Sequence, residues 1–332
     1  MGHVDTLVDG LLQSDTLAVA RLISWAENDD SRIAEVLRRI YPRTGAAFRI
    51  GITGPPGVGK STLIGRIALR YRDRGERVAV VAVDPTSPYS GGALLGDRHR
   101  MVEVTEDPRI FMRSMATRGA QGGLARATAE ALDLLDAAGF TTILVETVGV
   151  GQVELDIARA TDTVAVVLVP ESGDAIQAMK AGLMEIADVF VINKADREGA
   201  DRVLRDLESA LDVRPKQDAW RPEVLKVTAL KGDGLDELLD AFDRHRKHLE
   251  DSGRLSEKRR RTLRARLLGE AGRALLDRLE NGDSENLERL VDRIEHRELT
   301  PHDAARDWVA HISNADHRSN PGHPSNSGQK TS

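Results

Sequence analysis

Gly54-Pro55-Pro56-Gly57-Val58-Gly59-Lys60-Ser61-Thr62 is the stretch whose reading decides the fold. It fits G-x-x-x-x-G-K-[ST], a loop that cradles phosphate groups. Phe48–Thr53 before it is a short apolar run of strand type. After it, Leu63, Ile64, Ile67 and Ala68 recur at helical spacing. The loop thus joins a strand end to a helix start, where the helix dipole favours an anion. Gly54, Gly57 and Gly59 let backbone N–H groups turn inward, with Pro55 and Val58 between them. Lys60 is expected to reach the β- and γ-phosphates, and the Ser61 hydroxyl, followed by Thr62, to ligate Mg²⁺. The competing reading is a glycine-rich turn that matches by chance; strand, loop and helix in register argue against it.

From residue 48 to about 250, strand-like runs alternate with amphipathic helices. The runs are Phe48–Thr53, Val78–Val83, Ile110–Arg113, Thr142–Glu146, Val164–Val169, Val189–Asn193 and Val224–Val227. Continuous Val/Ile-rich runs suit a parallel sheet covered on both faces. The alternation predicts an α/β, doubly wound, mostly parallel sheet of the P-loop NTPase type. Residues 1–45 are expected to form a helical N-terminal extension, with Ser31 capping its third helix. Residues 46–251 hold the P-loop domain, 252–312 a helical C-terminal arm, and 313–332 a polar, disordered tail. Within the arm, Thr300 is expected to cap a helix with Pro301 in its first turn. The basic run Lys258-Arg259-Arg260-Arg261 reads as a solvated helix face rather than a phosphate contact.

The other polar segments follow strand ends. Asp84 closes one run and begins a loop rich in proline and glycine; it is a candidate Mg²⁺-shell carboxylate. Asp97, further along that loop, reads on its own as a solvated acid or helix cap. Glu146 stands at another strand end, with Gly149 three residues on, a spacing that suits a γ-phosphate sensor. Glu146 would hold Mg²⁺ or its water, and the Gly149 N–H would meet the γ-phosphate. Val150 stands near where Ras-like enzymes place a water-orienting Gln, and Gln152 is displaced along the chain. Slow intrinsic hydrolysis, or a catalytic group supplied otherwise, follows from that departure. Gly173–Asp188 reads as a loop and an ordinary surface helix.

Asn193-Lys194-Ala195-Asp196 fits N-K-x-D and selects the base. Asp196 can accept from guanine N1–H and N2–H₂, donors that adenine does not present together. The Lys194 stem can lie across the base, and Asn193 can brace the loop. Thr228-Ala229-Leu230 matches the segment that backs guanine through a backbone N–H. GTP and GDP are the expected ligands.

The chain of 332 residues carries a net charge of −6, so no basic field argues for nucleic acid. It has no cysteine, which excludes disulfides and thiolate metal sites. No stretch approaches a membrane span. A soluble, cytoplasmic protein is expected.

Together these stretches resemble the MeaB/ArgK family, the methylmalonyl-CoA mutase-associated GTPases. The resemblance is carried by Gly54–Thr62, Asp84–Arg98, Glu146–Gln152, Gly173–Asp188 and Asn193–Asp196. It implies a nucleotide-controlled homodimer, with the C-terminal helices as dimerisation arm. It implies that Asp84 and Asp97 assist Mg²⁺ and the switch, and that Gly173–Asp188 is a third switch, with Gln177 and Lys180 facing the partner or the dimer interface. Lys60, Glu146, Asp97 and Lys180 become the expected catalytic set. The implied partner is adenosylcobalamin-dependent methylmalonyl-CoA mutase or a related acyl-CoA mutase, whose cofactor loading and protection GTP would gate. The alternatives are a kinase acting on amino-acid-binding transport proteins, which N-K-x-D disfavours; a nickel-insertion GTPase, which the absence of Cys disfavours; and a binding module with a structural nucleotide.

Overall fold

The computed structural model describes residues 2–84, 107, 109–116, 123–147, 157–170, 182–213, 220–282 and 284–319. Three helices open the chain: α1 (His3–Leu12), α2 (Thr16–Glu27) and α3 (Ile33–Ile40), the last followed by a 3₁₀ turn at Tyr41–Arg43. Asp15 caps α2 by accepting from Leu17 N at 2.9 Å. The start of α3 is organised by Asp30 instead of Ser31. Asp30 Oδ1 accepts from Arg32 N at 3.0 Å, and its carbonyl accepts from Ile33 N at 2.9 Å. The residue before α3 is Arg32 and no side chain caps the helix, so Ser31 does not hold the place read for it.

The strands are β1 (Phe48–Thr53), β2 (Val78–Asp84), β3 (Ile110–Ala116), β4 (Thr142–Thr147), β5 (Thr163–Leu168), β6 (Val189–Asn193) and β7 (Glu223–Val227). They form one parallel sheet in the order β3-β2-β4-β1-β5-β6-β7. The interleaved helices are α4 (Lys60–Asp73), α5 (Gly123–Ala137), the single turn α6 (Leu183–Ile186), α7 (Ala200–Asp212) and α8 (Leu235–Asp251). Each strand lies where an apolar run predicted it, which is the doubly wound α/β fold expected from the sequence.

Side-chain alternation divides the strands between two faces. Val78 and Val80 join Ile50, Ile52 and Leu144 beneath α4 and α8. Ala79, Val81 and Val83 point the other way and join Ile143 and Val145 beneath α5. That second face is also covered by α1–α3, through Leu7, Leu11, Val19, Leu22, Ile23, Val36 and Ile40. The N-terminal helices therefore share the core of the sheet. Further along, Val164, Val166, Phe190 and Ile192 pack beneath α7 and α6. Burial of strands from both sides explains why their sequences are continuous apolar runs.

The remaining helices are α9 (Arg254–Gly282), α10 (Ser284–Glu295) and α11 (Pro301–Ser319). The chain divides into two compact units between Thr262 and Leu263, within α9. The first turns of α9 belong to the sheet-bearing unit, and here the basic run departs from its solvated reading. Arg259 meets Asp162 through two hydrogen bonds, at 3.0 and 2.8 Å, and donates to the Gly45 and Ala47 carbonyls. Lys258 Nζ donates to the Asp162 carbonyl at 2.8 Å. An acid distant in sequence supplies the buried partner that the run required. In the second unit, α11 runs on to Ser319, past the Ile312 boundary read from sequence. Its start is capped by Thr300, whose Oγ1 accepts from Asp303 N at 3.1 Å. No helix among the described residues is long and apolar enough to cross a membrane.

Candidate functional site

β1 is central, and the chain leaves its carboxyl end into the phosphate-type loop and then α4. On one side β4 lies beside it, and on the other β5. Strand order reverses here, and such a crevice beyond the strand ends is where doubly wound sheets hold ligands.

The loop needs its glycines for space as well as for φ. Gly54 sits at φ +141°. A Cβ there would lie 2.2 Å from the Val167 carbonyl oxygen on β5, so the loop can leave the sheet only with hydrogen at that position. Gly59, at φ +92°, is the residue before α4, and a Cβ would lie 2.7 Å from Asn193 Nδ2. Lys60 is buried at the first position of α4. Its ammonium donates to the carbonyls of Gly54 at 2.8 Å and Pro55 at 2.9 Å, so the cation is held over the loop. Val58 is buried, and Ser61 and Thr62 are half-buried in the first turn of the helix.

Glu146, near the carboxyl end of β4, is almost wholly buried and accepts from Ser61 Oγ at 2.8 Å. The pairing of Ile52 with Glu146 sets this reach, because it aligns the end of β4 with the exit of β1. Thr147 Oγ1 donates to Thr53 Oγ1 at 3.0 Å and fixes the two ends together. Ala82 and Val83 of β2 pair with Glu146 and Thr147, so Asp84 follows at the same rim; only its backbone is among the described atoms. A hydroxyl and a carboxylate converging at the front of a helix are hard oxygen donors of the kind that suit Mg²⁺. Asp97, Gly149, Gln152, Gln177 and Lys180 lie outside the described residues.

The second loop leaves β6. Asn193 is buried and makes bonds in two directions. Its Nδ2 donates to the Val58 carbonyl at 2.8 Å, and its Oδ1 accepts from Lys194 N at 2.8 Å and Ala229 N at 3.2 Å. Lys194 adopts the left-handed region, φ +56°, which few side chains enter without compensation. Its ammonium reaches back to the Gly57 carbonyl at 2.9 Å. Base-type and phosphate-type loops are thereby joined by two hydrogen bonds across the crevice mouth. The Ala229 N–H bond to Asn193 Oδ1 ties the Thr228–Leu230 segment to the loop after β6.

Asp196 is exposed at the rim. It pairs with Lys231 at 3.0 Å, and that hydrogen bond holds the carboxyl below the usual carboxylate range. Lys231 was not singled out in the sequence, although it directly follows Thr228-Ala229-Leu230. Thr228 and Ala229 are buried and Leu230 is exposed. Of the residues read from sequence, the fold gathers Gly54–Thr62 with Glu146 at the ends of β1 and β4. It gathers Asn193, Lys194, Asp196 and Thr228–Leu230 at the ends of β6 and β7.

The family model described as "Methylmalonyl Co-A mutase-associated GTPase MeaB" matches residues 19–283. A protein of Pyrococcus abyssi, provisionally described as a GTPase, is 47% identical over 91% of this chain and 94% of its own length. GTPase ArgK of Escherichia coli is 38% identical over 75% of this chain and 78% of its own. The mouse mitochondrial methylmalonic aciduria type A homolog is 36% identical over 77% of this chain and 66% of its own. The crystal structure of a LAO/AO transport system kinase superposes with a TM-score of 0.71 at 28% identity, covering 94% of this chain and 99% of that one. The chain belongs to the MeaB family of methylmalonyl-CoA mutase-associated GTPases and is a GTP hydrolase.

Proposed function

We propose that GTP binding and hydrolysis by this protein gate the loading of adenosylcobalamin into methylmalonyl-CoA mutase or a related acyl-CoA mutase, and protect the loaded enzyme. The observation that carries the reading is the family match over residues 19–283, which includes both loops of the crevice. The mouse relative, named for methylmalonic aciduria, supports the same partner.

In this reading Lys60 and the loop N–H groups hold the phosphate chain, and Asp196 selects guanine. Ser61 and Glu146, with Asp84 and Asp97, would hold Mg²⁺, which supplies charge neutralisation on the β- and γ-phosphate oxygens. Gly149 senses the γ-phosphate, and Lys180 relays the nucleotide state to the partner. Loss of that phosphate removes the contacts that hold these segments, which makes hydrolysis a switch. We further propose a cytoplasmic homodimer whose arm is formed by the C-terminal helices. The exposed Leu263, Leu267, Leu268, Leu275 and Leu276 of α9 support a partner on that arm.

The test is reconstitution with an adenosylcobalamin-dependent methylmalonyl-CoA mutase. GTP turnover should rise when the mutase is added, and transfer of cofactor to the apo-mutase should differ between GTP and GDP. Lys180→Ala should bind GTP normally and lose the stimulation. Turnover and cofactor transfer that ignore both mutase and nucleotide would overturn the proposal.

A further inference from the structure

We propose that Lys231 is a positioning residue for guanine recognition: its ammonium, 3.0 Å from Asp196 Oδ2, holds the carboxylate in the orientation that receives the base. The inference rests on the reading of Asp196 as the base-selecting acid.

The argument begins with the backbone. Asp196 and Lys231 hang from adjacent strands, since Asn193 at the end of β6 pairs with Val227 at the end of β7. Ala195 N donates to the Val227 carbonyl at 3.1 Å, which fixes the acid's loop to the neighbouring strand. On the other side, Lys231 N and Gly232 N both donate to the Thr228 carbonyl at 2.9 Å. Thr228 bridges to Asp233, with Thr228 N donating to the Asp233 carbonyl at 3.0 Å. Gly232 at φ +90° and Gly234 at φ +74° close this turn. A Cβ on Gly234 would lie 2.2 Å from the Lys226 carbonyl, so the turn is locked against β7. Both charges are therefore presented from fixed backbone.

The side chains are not buried: Lys231 is 60% exposed and Asp196 38%. An ion pair in that position adds little to fold stability. Its effect is on the orientation of a short side chain that must offer both oxygens at once. A carboxylate has about four lone-pair sites, so the ammonium can stay on Oδ2 while guanine N1–H and N2–H₂ donate to the remaining ones. A base seated on the pair also excludes water from it, and the attraction then strengthens. Without Lys231 the carboxylate must be immobilised at the moment of binding. The cost of fixing one more side chain corresponds to roughly a threefold to tenfold loss of affinity.

The experiment is calorimetric titration of the full-length protein with GDP and with inosine diphosphate, which lacks the exocyclic amino group. Wild type, Lys231→Met, Lys231→Arg, Asp196→Asn and the Lys231→Met/Asp196→Asn pair are compared, with thermal melting of each. Lys231→Met is expected to weaken GDP by about threefold to tenfold, and inosine diphosphate less, with melting unchanged. Lys231→Arg should restore GDP binding. In the Asp196→Asn background, removing Lys231 should have no further effect. Unchanged or tighter GDP binding by Lys231→Met overturns the inference. So does equal weakening of both nucleotides, failure of Lys231→Arg to rescue, or losses that add in the double variant. If Asp196→Asn weakens GDP while Lys231→Met does not, only the positioning role fails. If Asp196→Asn binds GDP as wild type does, base selection by Asp196 fails and takes the inference with it.

Discussion

Asn193 donates from Nδ2 to the Val58 carbonyl at 2.8 Å, joining the loop after β6 to the loop after β1. Its amide oxygen holds Ala229 N, so one buried side chain ties together segments from β1, β6 and β7.

Asn193→Ala should weaken GDP and GTP alike and lower stability. It strands the Val58 carbonyl and two amides, and each buried unpaired group costs about 1–3 kcal/mol. Denaturant midpoints and calorimetric affinities check this. Asn193→Asp should be no more stable than Asn193→Ala, because it buries a charge and turns a carboxylate oxygen onto the Val58 carbonyl.

The phosphate-type loop offers an internal control. Gly54→Ala would drive a methyl group against the Val167 carbonyl, and neither backbone can retreat without leaving the sheet. Gly57→Ala meets nothing within 4 Å, although it too sits at positive φ, +79°. The first should abolish nucleotide binding and destabilise by more than about 2 kcal/mol. The second should cost about 1–2 kcal/mol, the left-handed penalty alone. Comparison of their unfolding curves with that of wild type separates crowding from conformation.

Arg259→Ala should destabilise the sheet-bearing unit by about 1.5–3 kcal/mol, the range for hydrogen bonds to a charged group. Asp162, only 4% exposed, would keep its charge and lose its guanidinium. Chemical denaturation measures the loss, and Arg259→Lys should recover only part of it, because an ammonium cannot reproduce the forked contact.

The strands were legible because burial from both sides writes itself as unbroken Val/Ile runs. Their order was not: β1 lies between β4 and β5 because of the crossover paths, which no local pattern records. The phosphate-type loop and Asn193–Asp196 were legible because their chemistry sits in contiguous residues. Lys231 was not, since its meaning depends on Asp196, brought near only by the pairing of β6 with β7. The role of Arg259 was hidden for the same reason: a basic run reads as solvated until Asp162 is placed beside it. At α3 the expected Ser31 cap is absent because the helix begins two residues later, at Ile33, behind a turn held by Asp30.

A pH dependence follows from His245 on α8. Its ring is buried, with Nδ1 2.8 Å from Thr163 Oγ1 and Nε2 3.4 Å from Asp188 Oδ1. Burial lowers its pKa below the ordinary imidazole value, against the opposing pull of Asp188. The folded protein therefore favours the neutral ring. Its contribution is fully present above the unfolded pKa of about 6.5 and is lost as pH falls through the lower, folded pKa. Stability should decline on acidification in this window by at most about 1.4 kcal/mol per pH unit from this group. His245→Gln should flatten that part of the profile. A profile of the same slope in the variant would assign the dependence elsewhere.

The most direct measurement is the turnover of GTP, ATP and xanthosine triphosphate by wild type and Asp196→Asn. Xanthine carries an oxo group where guanine carries the amino group, so the amide of the variant can donate where the carboxylate accepted. Wild type should hydrolyse GTP in preference to the other two, and Asp196→Asn should shift its preference to xanthosine triphosphate while ATP stays poor. Equal use of ATP by wild type, or an Asp196→Asn protein that still prefers GTP, would contradict the account.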